Sequence, residues 1–350
     1  MKKDNDPCFK YQDLKQYIIR RIRGQVYQPG KQIDSEQALA NRLGFSRNTV
    51  RQALNELEQE GYLVRIQGKG TFLREDAPGI SKKIALILHQ LEHSVHPIIG
   101  QMIRGIQNVL EPNGFQLEIV AGKEAATPEN MHSLHEHYCG LLIGSRIVST
   151  EFLTELNFLQ TPVLFVKNYP DGYEKQTLRI DFESAGFSAA EHLIQRGKKN
   201  LALIGSEDTV SIGKDFANGI RNACLEYGVR LKSENIYRCD YTDFEVARRA
   251  VREMLEHTEP PDGIVTACDE IAFCVMKELI GMGYRIPEQI AVIGCNDTDW
   301  AALTTPALTT LYIPFLELGE KAAEAMLTLL DGQTPKLPLL IPTLRIRESS

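Results

Sequence analysis

Apolar positions keep helical spacing between residues 11 and 57 and then shift toward alternation over 62–66 and 71–73. Tyr11, Leu14, Ile18 and Ile22 recur every three or four residues, so one helix is predicted before Pro29 and Gly30 break the chain. Ser35 is placed to cap a short second helix that turns Leu39, Ala40 and Leu43 inward, and Gly44 suits the left-handed position that ends such a helix. Ser46 is a second cap. The helix behind it carries Val50, Ala53, Leu54 and Leu57 at i, i+3, i+4 and i+7, which gathers Arg47, Asn48, Arg51, Gln52 and Asn55 on the opposite face. Residues 62–66 and 71–73 flank Gln67-Gly68-Lys69-Gly70, a hairpin whose glycines admit positive φ and whose lysine stands at the tip. Two helices joined by a glycine turn, the second with a polar face, predict a helix-turn-helix, and the hairpin predicts a wing. In an isolated helix Arg47 and Arg51 would read as a solvated face; caps, turn and hairpin in register argue against that here.

Over residues 74–83 charge, Pro78, Gly79 and Ser81 replace periodicity, which marks a linker. The expected units are a small α+β head at 1–75, a linker at 76–82 and a body at 83–350. In the body, apolar runs begin at 84 (IALIL), 115 (FQLEIV), 140 (GLLIG), 162 (PVLFVK), 201 (LALIG), 263 (GIVTA) and 290 (IAVIG). Amphipathic stretches fall between and after them, at roughly 97–112, 183–196, 214–227, 243–257, 268–282 and 315–331. This alternation predicts parallel sheets covered by helices on both faces, with ligands gathered at the carboxyl ends of the strands. A body with about ten strands favours two lobes.

Charge sharpens the division. The 350-residue chain carries a net −7, yet residues 1–75 hold 14 Lys+Arg against 9 Asp+Glu, leaving 25 against 37 for the rest. A basic head on an acidic body suggests that only the head meets a polyanion. No apolar run is long enough to span a bilayer, and the first residues lack the apolar core of a secretory signal, so the expected compartment is the cytoplasm. Cysteines 8, 139, 224, 239, 268, 274 and 295 include no Cys-x-x-Cys pair and suit a reducing environment as small buried hydrophobes.

Catalytic chemistry finds little support. The stretch GSEDTVSIGK at 205–214 has the wrong glycine spacing for a phosphate loop, no G-x-G-x-x-G occurs, and no nucleophile elbow stands in a strand-turn-helix context. His132, His135, His137 and Cys139 are the right residue types for zinc but lack a second anchored pair, which favours a solvated helix end. The expectation is a protein that is not an enzyme and needs no metal or cofactor.

The segment SEQALANRLGFSRNTVRQALNELEQEGYLVRIQGKGTFL strongly resembles the winged helix-turn-helix of GntR-type bacterial transcription regulators. The resemblance implies that Ser46, Arg47, Asn48, Thr49 and Arg51 approach operator bases and phosphates. It places Gln67 and Gly68 in the minor groove, with Lys69 beside them at the tip. Arginine suits this work because it can bind guanine O6 and N7 bidentately, while Ser, Thr and Asn serve phosphate oxygens. Gln37 stands where the family often has arginine, which implies a different operator preference.

From residue 83 to about 348 the chain resembles the effector domain of LacI/GalR repressors, itself like periplasmic sugar-binding proteins. The stretches that carry this are HPIIGQMIRGI, IDFESAGFSAAEHLIQRGKKNLALIG, ACDEIAFCVMKELIGMGYRIPEQIAVIGCND and PALTTLYIPFLELGEKAAEAML. A GntR head on a LacI-like body is the arrangement of the arabinose-responsive repressors of Gram-positive bacteria. What this implies is a homodimer on double-stranded operator DNA, released by a small sugar-like effector such as L-arabinose. The effector lies between lobe one (about 83–178 and 312–335) and lobe two (about 179–311 and 336–350). Pocket positions carry over to Asp181, Cys268, Asp269, Asn296 and Asp297, with His96 and Ser94 as weaker candidates. Carboxylates and amides at strand ends suit a polyhydroxylated ligand, although Asp181 would equally serve as a helix cap and Asn296 as a turn residue. Cys268 replaces the usual asparagine, Asn296 the usual aspartate, and Phe216 the usual sugar-binding arginine, so either Lys214 substitutes for that arginine or the ligand presents less polar surface there. Trp300, the only tryptophan, is expected near the cleft or in packing. The alternatives are a GntR head on a body of enzymatic origin, which would require pyridoxal phosphate and a longer chain, and a regulator of another carbohydrate pathway acting as activator or corepressor-dependent repressor.

Overall fold

The computed structural model describes residues 7–23, 26–75, 77, 82–88, 97–121, 134, 137–144, 152–154, 156, 161–205, 211–239, 244–256 and 259–350. The chain divides into two compact units. One comprises Met1–Leu91, Ile106–Leu164 and Lys321–Lys336, the other Glu92–Gly105, Phe165–Glu320 and Leu337–Ser350.

The first unit begins with α1 (Pro7–Arg23), α2 (Glu36–Leu43) and α3 (Arg47–Gln59), followed by the hairpin β1 (Leu63–Ile66) and β2 (Gly70–Leu73). Both expected caps form. Ser35 Oγ accepts from the Ala38 N–H at 3.2 Å, and Ser46 Oγ accepts from the Thr49 N–H at 3.1 Å, each satisfying a donor that the first helical turn would leave orphaned. Gly44 ends α2 at φ 73°, a conformation that costs a side-chain-bearing residue and lets α3 start three residues later. Val50, Ala53, Leu54 and Leu57 are wholly buried against Leu14, Ile18 and Leu39, and each buried valine or leucine contributes about 1.5–3 kcal/mol. Ala77, expected in the linker, packs into this same core.

The hairpin is joined by the segment 30–33, which pairs with β2 through an isolated antiparallel bridge between Gln32 and Phe72 that periodicity does not reveal. The N–H groups of Gly30 and Ile33 donate to the carbonyls of Leu73 and Thr71, both at 2.9 Å, and Leu73 N–H returns a bond to Lys31 O at 3.0 Å. Four residues are too few to show alternation, and Gly30 itself is left-handed at φ 71°, so only the bonds to β2 reveal the pairing. Within the same unit β3 (Lys83–Leu88) lies between β4 (Gln116–Ala121) and β5 (Gly140–Ile143), parallel to both, with Ile84 to Leu88 buried as a central strand requires. Helix α4 (Pro97–Leu110) connects β3 to β4.

The rest of the body runs in the predicted alternation: β6 (Val163–Val166), β7 (Thr177–Ile180), α5 (Phe182–Gln195), β8 (Asn200–Gly205), α6 (Ser211–Glu226), β9 (Arg230–Arg238), α7 (Phe244–Leu255), β10 (Gly263–Thr266), α8 (Asp269–Gly281), β11 (Ala291–Asn296), β12 (Thr309–Tyr312), α9 (Phe315–Leu330), β13 (Leu339–Leu340) and β14 (Thr343–Arg345). Two six-stranded sheets form among the described residues. The one wholly inside the second unit has the order β14-β12-β11-β10-β8-β9, parallel except for the pair β12–β14. All seven expected body strands and all six expected helices are present. Missing from the expectation were β7, β9, β12, β13 and β14, of which β9 (RLKSENIYR) is a largely polar edge strand and the others are two to four residues long.

Helices α5 and α6 touch backbone to backbone. A Cβ on Gly219 would stand 1.9 Å from Glu183 O, and one on Gly186 2.1 Å from Phe216 O, so this contact requires glycine on both helices. No described helix is long and apolar enough to cross a membrane.

Candidate functional site

Two surfaces collect the residues singled out by sequence. On the head, Arg47, Asn48 and Arg51 stand exposed along the first turns of α3, where the positive end of the helix dipole adds to their charge. Ser46 and Thr49 are engaged with each other, their hydroxyl oxygens 2.8 Å apart, so both shape the start of the helix as well as face solvent. Arg51 donates to Glu36 Oε2 from Nη2 at 3.1 Å. Gln37 is exposed on α2 and donates from Nε2 to Asn41 Oδ1 at 2.8 Å, folding its amide along its own helix. Gln67, Gly68 and Lys69 are exposed at the hairpin turn. Gln32 Nε2 donates to Lys69 O at 3.0 Å and so fixes the backbone from which the lysine projects.

In the body, the second unit holds Asp181, Lys214, Phe216, Cys268, Asp269, Asn296 and Asp297 at or beside the carboxyl ends of strands; His96 and Ser94 lie outside the described residues. Asp181 follows β7 and caps α5, its Oδ1 accepting from the Ser184 N–H at 2.9 Å, which is the cap role its position allowed. Lys214 is exposed on α6 and Phe216 is buried there. Cys268 precedes α8 without capping it, and burial pushes its thiol well above the usual range.

Asp269 has no exposed surface. Its carboxylate accepts from Thr298 N–H at 2.6 Å, Thr298 Oγ1 at 2.9 Å and Thr310 Oγ1 at 2.5 Å, tying α8 to β12 and to the loop after β11. Burial raises its pKa to about 6 despite those donors. Asp297 is held by Arg347, Nη2 to Oδ1 at 2.7 Å, with Arg345 Nε at 3.9 Å from its other oxygen. The two carboxylates are therefore largely committed to the fold. Trp300, in the short turn Asp299–Ala302, is 65% exposed.

Backbone strain marks the place more sharply than charge does. The non-glycine residues with positive φ among the described residues are Lys167 (72°), Asn296 (111°) and Asp297 (52°), all at the carboxyl ends of β6 and β11. Around Lys167 lie residues that the sequence reading missed. Asn168 is 3% exposed, and neither its Nδ2 nor its Oδ1 has a hydrogen-bond partner, a costly state for a buried amide. Next to it Tyr169 donates from its hydroxyl to Asp215 Oδ2 at 3.3 Å, and the Arg179 guanidinium lies 5.7 Å from the Tyr169 ring centre. Burial raises the Asp215 carboxyl, and burial with the Asp215 charge raises the Tyr169 phenol. The available signal was the polar KNYP run directly behind the apolar strand PVLFVK. An amide, a phenol, a carboxyl and a guanidinium together can exchange hydrogen bonds with a small polar ligand.

Of the residues considered for zinc, His132 and His135 lie outside the described residues. His137 is exposed, and Cys139 is buried with its thiol donating to Lys83 O at 3.2 Å.

Comparison with known proteins follows the same division. Residues 10–73 match the bacterial regulatory proteins of the gntR family, and residues 190–350 match the periplasmic binding protein-like domain. The chain is 28% identical to the arabinose metabolism transcriptional repressor of Geobacillus stearothermophilus over 93% of its length and 92% of the relative's. It is 26% identical to the arabinose metabolism transcriptional repressor of Halalkalibacterium halodurans, covering 93% and 90%. Among solved structures, the transcriptional regulator CelR–cellobiose complex aligns with a TM-score of 0.70 at 22% identity, over 87% of this chain and 90% of that one.

Proposed function

We propose that this chain, a gntR-type winged helix joined to a periplasmic-binding-protein-like body, is a ligand-responsive transcriptional repressor. It acts in the cytoplasm as a homodimer on a roughly palindromic duplex, one head to each half-site, and a small sugar releases it. L-arabinose or a related pentose is the effector to try first, since the relatives matched over 93% of the chain are named for arabinose metabolism. The observation that carries the reading is that one chain holds both an outward-facing polar helix start and a receptor-like α/β body. Asn168, Tyr169 and Asp215 support a ligand site at the strand ends, with Asp181 bordering it as the cap of α5. Binding without catalysis accounts for these groups, since Asp269 is wholly engaged by threonines and the Cys268 thiol is held protonated by burial.

The test is a gel shift on the duplex that the full-length protein enriches from a random-sequence pool, repeated with L-arabinose, other pentoses, hexoses and their phosphates. One sugar should dissociate the complex and, with DNA absent, raise the melting midpoint by mass action. Operator DNA should weaken that sugar's affinity by the factor by which the sugar weakens DNA binding. If no duplex is enriched, the reading of the head falls; if no sugar changes either measurement, the reading of the body falls.

A further inference from the structure

Glu36 is an acidic residue at the surface assigned to DNA, where a carboxylate repels phosphate. It is nonetheless the meeting point of three elements. Its Oε2 accepts from Arg51 Nη2 at 3.1 Å and Nε at 3.3 Å, and its Oε1 lies 3.6 Å from Arg65 Nη2 on β1. Arg65 in turn reaches Glu58 of α3, Nε to Oε2 at 3.7 Å, and its backbone N–H donates to Glu58 Oε1 at 3.1 Å. We propose that Glu36 is a positioning residue for operator reading, which orients the Arg51 guanidinium and ties it to the wing through Arg65. The inference rests on the operator-binding reading of the head.

The orientation follows from the shape of the guanidinium. Two of its edges can make paired hydrogen bonds, one from Nε with Nη2 and the other from Nη1 with Nη2. Glu36 occupies the first. The second makes no hydrogen bond among the described residues, on a side chain that is 52% exposed, and it is the edge that matches guanine O6 and N7. A half-exposed ion pair contributes little to stability, so its consequence lies in fixing a long, rotamer-rich side chain before DNA arrives. Arg47, on the same face and without an ion pair among the described residues, is left to a more mobile contact.

Charge and position make opposite predictions for Glu36→Gln. If the carboxylate is only a repulsive neighbour, removing it tightens every duplex. If it positions Arg51, the duplex enriched by the wild-type protein binds about tenfold more weakly, while a scrambled duplex binds as well as before or better. Binding of full-length protein to both duplexes by fluorescence anisotropy, at physiological salt, separates the two. The double variant Glu36→Gln/Arg51→Ala should bind the enriched duplex no more weakly than Arg51→Ala alone. Glu36→Asp, which keeps the charge but shortens the reach, should also lose affinity for the enriched duplex, and covers the case in which the glutamine variant fails to fold. Equal tightening of both duplexes by Glu36→Gln, or wild-type discrimination by Glu36→Asp, overturns the assignment. A wild-type protein that enriches no sequence overturns the operator reading itself, and this inference with it.

Discussion

Arg47 and Asp269 both open helices, and the two helix starts are in opposite states. Arg47 begins α3 exposed to solvent, whereas Asp269 begins α8 with no exposed surface and three hydrogen bonds to threonines. The difference comes from what lies in front of each helix. Behind α3 is a small core and before it is water, so the polar first turn stays available to another molecule. In front of α8 stand β12 and the loop after β11, so the first turn is consumed within the fold. A polar residue at a helix start is therefore a contact in waiting in the head and an internal lock in the body.

The comparison breaks most visibly at the lock. Asp269→Ala leaves Thr298 and Thr310 without their acceptor inside the core and should destabilise the body by about 3–5 kcal/mol, read as a fall in its urea midpoint. The same carboxyl has a pH signature. Its folded pKa of about 6 lies above its ordinary 3.8, so the native state holds the proton more tightly. Its contribution to stability is thus fully present below pH 4 and is lost as pH rises through 6. Between those limits the stability of the wild type relative to Asp269→Asn should fall by about 3 kcal/mol, measured by denaturant titrations at successive pH values. A flat difference would mean that the threonine donors outweigh burial.

On the reading helix the effects move from folding to binding. Arg47→Ala should leave the melting midpoint unchanged and weaken the enriched duplex by about 1–3 kcal/mol, relaxing discrimination at one base pair. Lys69→Ala should weaken all duplexes alike and reduce the salt slope by about one. The smallest effect is expected at Ser46, whose hydroxyl holds the start of α3. Ser46→Ala should cost about 1 kcal/mol of head stability, read by hydrogen exchange at Thr49 and its neighbours.

The head was legible almost to the residue because each of its features is local. A cap and its acceptor are three residues apart, a helix face repeats within two turns, and a glycine turn is one residue. Only the pairing of residues 30–33 with β2 escaped, since it depends on a partner some 40 residues away. The body's strands were legible where they are central and apolar. They were missed where, as in β9, an edge position allows polar residues. The proposed effector region was the least legible part, because its meaning lies in distant pairings. Asp269 reads as a ligand group until Thr310, 41 residues on, is seen bonded to it. Asn168 has no periodic signal at all, and only burial without a partner singles it out.

The glycine contact between α5 and α6 bears on how this fold can change over generations. With Glu183 O 1.9 Å and Phe216 O 2.1 Å from where side chains would begin, Gly219 and Gly186 leave no room even for alanine, so selection has no neighbouring substitution to explore there. Lys214 and Asp215 sit on the same helix less than two turns away and carry no such steric veto. If the proposed ligand site is the working one, new preferences can therefore accumulate along one rim of α6 while the crossing that holds the helix in place stays fixed. A deep mutational scan selecting for folded protein should show this as two blank columns, at 186 and 219, beside permissive ones.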